Sequence, residues 1–297
     1  MWASLVVLTK VGLYSSNMAV IGALFSIALF AKPNTVLFNR VRAYGFKSCL
    51  IAVFFCAVGF FVQVGFASQS GLSGLFDKVI LPILWNSSVG DSLLVRLLGL
   101  FFAFLGMALL LYQTKAVTYL AWVLLVISTV FISISFFLSG HTQSLNWLAK
   151  AAIAMHFFAF ACWIGSLLPL YWSTKNYSMK DLASVLTKYG NMALACVIVV
   201  VVAGSYLVFA LLGSPLNLFN STYGGGLLLK FSLVIILLLL AARNRYSLVP
   251  KIVQAESASD DTLAIDEFRV TVAFELVFAF FILLVTATVT SLTGPHL

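Results

Sequence analysis

Of the 297 residues, 62% are hydrophobic and 9% are charged, with a formal net charge of +8. A soluble domain carries about 25% charge, so the composition excludes an ordinary globular fold. The basic excess reads as a membrane-topology signal and gives no support to nucleic-acid or acidic-protein binding.

A spanning helix needs roughly 20 mostly apolar residues. Eight stretches meet that need: Leu5–Ala31, Phe46–Ala67, Leu93–Gln113, Ala116–Leu138, Leu148–Trp172, Asn191–Leu212, Gly226–Ala242 and Val270–Ser291. They are too long and too evenly apolar for the alternating strands of a membrane barrel. The expected fold is an all-α polytopic membrane protein, one transmembrane bundle over residues 1–297 with no room for a folded extramembrane domain.

Span 1 lacks a short apolar region followed by a small-residue cleavage site, so it reads as a retained helix. Ser15, Ser16, Asn17 and Met18 interrupt it near midmembrane with polar or soft groups. Span 2 carries Cys49, Cys56 and Gln63 at intervals of seven. Successive members lie about 10.5 Å apart along the axis, too far to share one metal, and the stripe reads as a packing seam. In the connection Ser68–Ser92, Leu72, Leu75, Phe76, Val79, Ile80 and Ile83 make a one-sided helical pattern around Asp77 and Lys78. This predicts a short interfacial helix, ended or kinked by Pro82. Arg96, Lys150 and Lys230 lie near outer ends of spans 3, 5 and 7 and are expected to snorkel.

Histidine is scarce, with three in the chain. His141 lies just past span 4, and His296 just past span 8. His156 lies in span 5, nine residues past Trp147 and so about 13 Å below the surface. An imidazole inside a membrane helix usually faces the bundle interior or a cavity. It reads as a metal ligand or proton relay, with a packing histidine bonded to a backbone carbonyl as the plain alternative. Met155 and Cys162, seven apart, share one face; His156 and Trp163 share the adjoining face, about 100° round. Thioether, thiolate and imidazole together suit Cu(I), although a single Met or Cys is more often a core filler. Met18 is a further candidate, and Met107 and Met192 are weaker ones.

Between spans 7 and 8, Glu256, Asp260, Asp261, Asp266 and Glu267 against Lys251 and Arg269 read as a solvated linker. Glu275 lies about one and a half turns into span 8. Carboxylates at such depth are usually paired, and Arg245 and Asn244 are the candidate partners. Structural pairing and a proton or cation role both stay open.

Twelve of the 17 basic residues fall in alternate loops, which assigns those loops to the cytoplasm and both termini to the periplasm. Cys49, Cys56, Cys162 and Cys196 all lie within spans. No disulfide framework is implied, and without a C-x-x-C motif a zinc or iron–sulfur site is not expected. Span 3 opens with Gly90 six residues before Arg96, and span 7 with Gly224 six before Lys230; Ile21-Gly22 and Ile164-Gly165 mark spans 1 and 5. Two readings stand: a parallel 4+4 repeat with halves 1–138 and 139–297, or chance likeness among Leu-rich helices.

His156, Trp163, Gly165, Leu167 and Pro169 resemble the H-x6-W-x-G-x-L-x-P signature of the copper resistance protein D (CopD/PcoD) family. Gly140-His141 fits the Gly-His that precedes it. Tyr223-Gly224 with Leu228-Leu229-Lys230, then Ala242 to Pro250, resemble the family's Y-G-x-x-L-L-x-K and A-x-N-R-x-x-L-x-P blocks. Glu275 and Thr293-Gly294-Pro295-His296 resemble its closing block. Cys162 and Ser166 depart from the pattern, standing where Ala and Gly are commoner.

The resemblance implies a copper-handling protein of the bacterial inner membrane that moves copper from periplasm to cytoplasm beside a CopC-type periplasmic copper-binding partner. Copper, Cu(I) favoured over Cu(II), would be received by His141 and His296 and passed to His156 with Met155 nearby. The chain is not expected to be an enzyme or to carry haem. The alternatives are a haem-bearing membrane copper reductase and a non-transporting docking or sensor protein for the copper carrier.

Overall fold

The structure is a computed structural model that describes residues 1–112, 114–138, 145–212, 217–255 and 262–292. Helices α1 (Trp2–Leu29) and α2 (Val36–Ser68) lead through a 3-10 turn at Gly71–Phe76 and the short α3 (Ile80–Trp85) to α4 (Ser88–Leu109) and α5 (Lys115–Ser135). Helices α6 (Trp147–Gly165) and α7 (Leu167–Asn176) form one pass broken at Ser166. The long α8 (Met179–Leu212) returns and is followed by the single turn α9 (Asn217–Asn220). Helix α10 (Thr222–Arg243) runs through a π turn at Asn244–Leu248 into α11 (Val249–Ala255), and α12 (Thr262–Leu292) completes the bundle. Among the described residues, eight passes are long and apolar enough to cross a bilayer. The chain is a multi-pass membrane protein.

Eight passes return the chain to the face where it began, and Lys10 Nζ of α1 donates to Thr290 O of α12 at 3.1 Å. We call this the terminal face and the opposite one the loop face. At the loop face the helices overrun their apolar stretches: α2 starts at Val36, α8 at Met179 and α12 at Thr262. Hydropathy marks the bilayer, whereas backbone hydrogen bonding carries the helix on into water. Much of the stretch read as a solvated linker is therefore helical, and Glu256, Asp260 and Asp261 lie outside the described residues. Among the described residues, three ion pairs join charges on this face: Lys32 Nζ to Asp181 Oδ1 at 2.8 Å, Arg243 Nη2 to Glu267 Oε2 at 2.9 Å and Arg269 Nη1 to Asp266 Oδ1 at 2.7 Å. Exposed pairs of this kind add little stability. Arg269 does more by donating to Thr174 O at 2.9 Å near the end of α7.

The connection between α2 and α4 is helical, but it breaks at Asp77 and continues through Pro82. Asp77 Oδ1 accepts from the amides of Val79 at 2.9 Å and Ile80 at 3.0 Å, and Oδ2 accepts from Ser68 Oγ at 2.6 Å. These bonds, led by the Ser68 hydroxyl, hold the Asp77 carboxyl below its ordinary range. Pro82 sits in the first turn of α3, where no intrahelical amide donor is needed.

Arg96 does not snorkel. It is buried, with Nε donating to Ser135 Oγ at 3.0 Å and Nη2 to Ser92 Oγ at 3.2 Å and Ser135 O at 3.4 Å. Ser135 is the last residue of α5, so the guanidinium finds the free carbonyl and negative dipole of a helix C-terminus at its own level. The flanking Phe136 ring lies 4.6 Å below it.

Helices α1 and α6 cross with no side chain between them. A Cβ on Gly22 would fall 2.0 Å from Gly165 C, and one on Gly165 would fall 2.0 Å from Met18 O. Such close crossings are how membrane helices gain contact where lipid supplies no hydrophobic drive. Directly after the crossing, Pro169 lacks the amide that would bond Gly165 O. Tyr44 Oη donates to that carbonyl at 3.4 Å instead. We predict that Gly165→Val lowers stability by about 3 kcal/mol or more through backbone displacement. Gly225→Ala, in α10 with nothing within 4 Å of the added methyl, should be neutral or slightly stabilising. Thermal unfolding in detergent separates the two, and an unchanged midpoint for Gly165→Val would refute the close crossing.

Candidate functional site

A file of buried polar and sulfur groups follows the seam between α6 and α8. At its head His156 Nδ1 pairs with Val200 O at 2.9 Å. A carbonyl only accepts, so Nδ1 carries the proton, and in the neutral ring Nε2 then holds the lone pair. Gly204 gives the ring its seat, since a Cβ there would come within 3.0 Å of Cε1. Lys230 of α10 lies within electrostatic range of the imidazole.

Farther along, Cys162 of α6 and Cys196 of α8 are both buried. The break at Ser166 forms the next level. Ser166 Oγ bonds Trp163 O at 2.9 Å and Tyr189 Oη at 3.3 Å, and Tyr189 Oη donates to Trp163 O at 3.0 Å. These hydroxyls supply partners where the interrupted helix cannot, as a bilayer requires.

Below the break a cavity of about 230 Å³ opens between α6–α7, α8, α10–α11 and α12, with Trp163, Tyr189, Asn244, Arg245 and Glu275 among its lining residues. Asn244 Nδ2 donates to Glu275 Oε1 at 2.8 Å, and both side chains are buried. Arg245 reaches Asn191 Oδ1 at 3.1 Å instead of the carboxyl. Asn244 Oδ1 and Arg245 Nε are buried with no hydrogen-bond partner, leaving one acceptor and one donor at the cavity for a polar guest. The π turn explains how Asn244 comes to this position. Pro250 has no amide and would crowd the carbonyl four residues earlier, and a widened turn relieves that conflict. The Val249 amide accordingly bonds Asn244 O, five residues back.

Of the residues singled out from sequence, Trp163, Asn244, Arg245 and Glu275 meet at this cavity, with His156 and Cys162 above it. Met155 does not join His156. It is exposed and lines an apolar groove of about 430 Å³ between α1, α5 and α6, which Cys162 also touches. Neighbouring helix positions diverge by about 100°, so the two side chains serve different neighbours. Met18 is buried in the core beside the glycine crossing. The polar groups around it are turned back on their own helix: Ser15 Oγ bonds Val11 O at 2.8 Å, Ser16 Oγ bonds Gly12 O at 2.7 Å and Asn17 Nδ2 bonds Leu13 O at 2.8 Å. Met107 fills the space over Gly45. His141 and His296 lie outside the described residues. Among the described residues no group of three or more His, Cys, Asp or Glu side chains is placed to hold a metal ion.

Sequence reasoning missed Tyr189, Ser166 and Cys196 as parts of the file. Pro169 marks a break in this pass, but the carbonyl it strands is Gly165 O, which Tyr44 takes, so it points to neither of the first two. Nothing in a single sequence tells that the helices of Cys196 and Cys162 are neighbours.

Residues 1–146 match the family Copper resistance protein D-like, N-terminal domain, and residues 183–289 match Copper resistance protein D. The chain belongs to the copper resistance protein D family. With its eight passes, it is a membrane protein of copper resistance. No curated protein and no solved structure matches it. The second family stretch holds Cys196, Asn244, Arg245 and Glu275, whereas the His156-to-Pro169 block lies between the two stretches.

The Asn244–Glu275 bond carries a stability prediction. Asn244→Leu leaves a buried carboxyl without its donor and should cost about 1–3 kcal/mol. Glu275→Gln keeps an acceptor facing Asn244 and should cost less. Equal unfolding midpoints for Asn244→Leu and the native chain would show that the bond contributes nothing.

Proposed function

We propose that this protein carries copper across the bacterial inner membrane from periplasm to cytoplasm, with the terminal face periplasmic and the loop face cytoplasmic. The orientation rests on the 12 of 17 basic residues in alternate loops, by the positive-inside rule.

The observation that carries the reading is His156 itself. Its Nδ1–H is held by Val200 O, a bond that the packing reading also expects but that is equally the carbonyl-backed arrangement of metal-ligating histidines and leaves the Nε2 lone pair uncommitted to it, and it stands at the head of a buried polar file. In this reading His141 and His296 receive copper at the outer mouth from a CopC-type periplasmic carrier. His156 takes it inward, and the Glu275 cavity lies on the way to the cytoplasmic side. Imidazole followed by sulfur favours Cu(I). Glu275, bonded through one oxygen to Asn244, is the group able to exchange a proton as copper passes. The path needs no chemical transformation and no haem.

The test is total copper in cells producing the native chain, His156→Ala at matched membrane levels, or neither. The expected result is raised copper with the native chain, lost in the variant. Equal copper in all three would overturn inward transport and favour a docking or sensing role at the outer mouth.

A further inference from the structure

The cavity beside Glu275 is lined by an acid and a base that do not pair with each other. Glu275 Oε1 accepts from Asn244 Nδ2, and Arg245 Nη2 donates to Asn191 Oδ1 of α8. The guanidinium lies over Gly190, where a Cβ would come 3.2 Å from Nη1. A buried charge is costly without a partner, and an ionisable group within a membrane helix marks a functional site by default. Asn244 is 7% exposed and its Oδ1 has no donor, while Arg245 Nε is buried with no acceptor. These groups call for a guest that donates at one end and accepts at the other.

Position and shape narrow the guest. Among the described residues, α8 packs against α6 and α11, and α10 against α12, with the cavity standing between α8 and α10. Leu194 and Tyr246 line it and are themselves exposed, so its mouth opens sideways on the outer surface of the bundle. Asn244 and Arg245 stand at its loop-face end. Val197 and Leu238 line it farther in; Leu238 precedes Arg245 by seven residues, about 10 Å along the axis. A pocket charged at the membrane border, apolar toward the midplane and open to lipid has the polarity of a phospholipid.

We infer that this cavity holds a phospholipid of the loop-face leaflet with a primary-ammonium zwitterionic headgroup, a phosphatidylethanolamine. The ammonium has three N–H donors; it bonds Asn244 Oδ1 and faces the Glu275 carboxyl. The phosphate accepts from Arg245, and an acyl chain lies along the walls that Ala193 and Ala241 help to form. A choline headgroup has no N–H for Asn244, and a glycerol headgroup has no cation for Glu275. The inference goes beyond the copper reading and does not rest on it. Where both hold, the ammonium is the cation that copper displaces at Glu275.

The test places the full-length chain in phosphatidylcholine vesicles with a trace of phosphatidylethanolamine bearing a photoactivatable diazirine on its acyl chain. After illumination, labelled peptides are mapped by mass spectrometry. Label is expected on the stretches around Ala193 and Ala241. A modest share of unlabelled phosphatidylethanolamine in the vesicles should suppress it, and the same share of phosphatidylglycerol should not. Arg245→Gln should lower the suppressible label about 10-fold, the loss of one hydrogen bond to a charged group, while Arg243→Gln leaves it in place. Label spread over all lipid-facing helices, or suppressed equally by both lipids, would overturn the inference and leave the cavity to water. Stronger suppression by phosphatidylglycerol would overturn it in favour of a plain anion site at Arg245. The competition on the native chain gives that answer even if Arg245→Gln does not fold. Flat cellular copper would count against transport alone.

Discussion

Where α1 crosses α6, the backbones of Gly22 and Gly165 meet directly, and this fixes much of what surrounds them. The contact sets α6 at one depth against α1, at the level where Pro169 removes an amide from the helix. The stranded Gly165 carbonyl then draws Tyr44 of α2 to the same point, and the Ser166 break draws Tyr189 of α8. Four helices are thus tied to one level of the membrane by the need to satisfy backbone groups that no water can reach. The redirected α7 carries this constraint to Arg269 of α12 through Thr174.

The same break gives the α6–α8 seam its polar character. A continuous α6 would have needed no hydroxyl at Ser166 or Tyr189, and the seam there could have been apolar. Instead imidazole, two thiols, two hydroxyls and a carboxyl succeed one another at different depths along neighbouring helices. The imidazole, the hydroxyls and the carboxyl are each held by a partner from another element or from their own backbone. A path for a cation through a bilayer needs such a series, because a bare charge in hydrocarbon is costly and a single deep site would hold copper without releasing it.

The eight passes were legible in the sequence because hydropathy measures what the bilayer selects. The loop-face overhangs of α2, α8 and α12 were not, since polar residues continue a helix that the apolar window has already ended. Pro82 misled as a breaker because its place in the first turn of α3 is set by Asp77, whose capping role is visible only in the folded connection. Arg96 misled for a related reason: the acceptor that keeps it buried belongs to the end of α5. The link from Glu275 to Asn244 was legible, as two rare polar groups at similar depth have few other partners. That Cys162 and Cys196 belong to neighbouring helices, α6 and α8, was illegible because hydropathy carries no information on which helices are neighbours.

The π turn at Asn244–Leu248 has a mechanical consequence. A turn closed by bonds five residues apart holds more chain than an α-turn, so it works as a phase adjuster between α10 and α11. Asn244, Leu248 and Ile252 all face the interior, one inward stripe spanning the turn and the helix beyond it. Closing the turn to ordinary α-helical bonding at the same chain length would swing everything past it by about 100°, carrying Ile252 off the bundle. At this point of the chain length is angle: the number of residues in one turn sets the facing of the loop-face end of the pass relative to the Glu275 cavity.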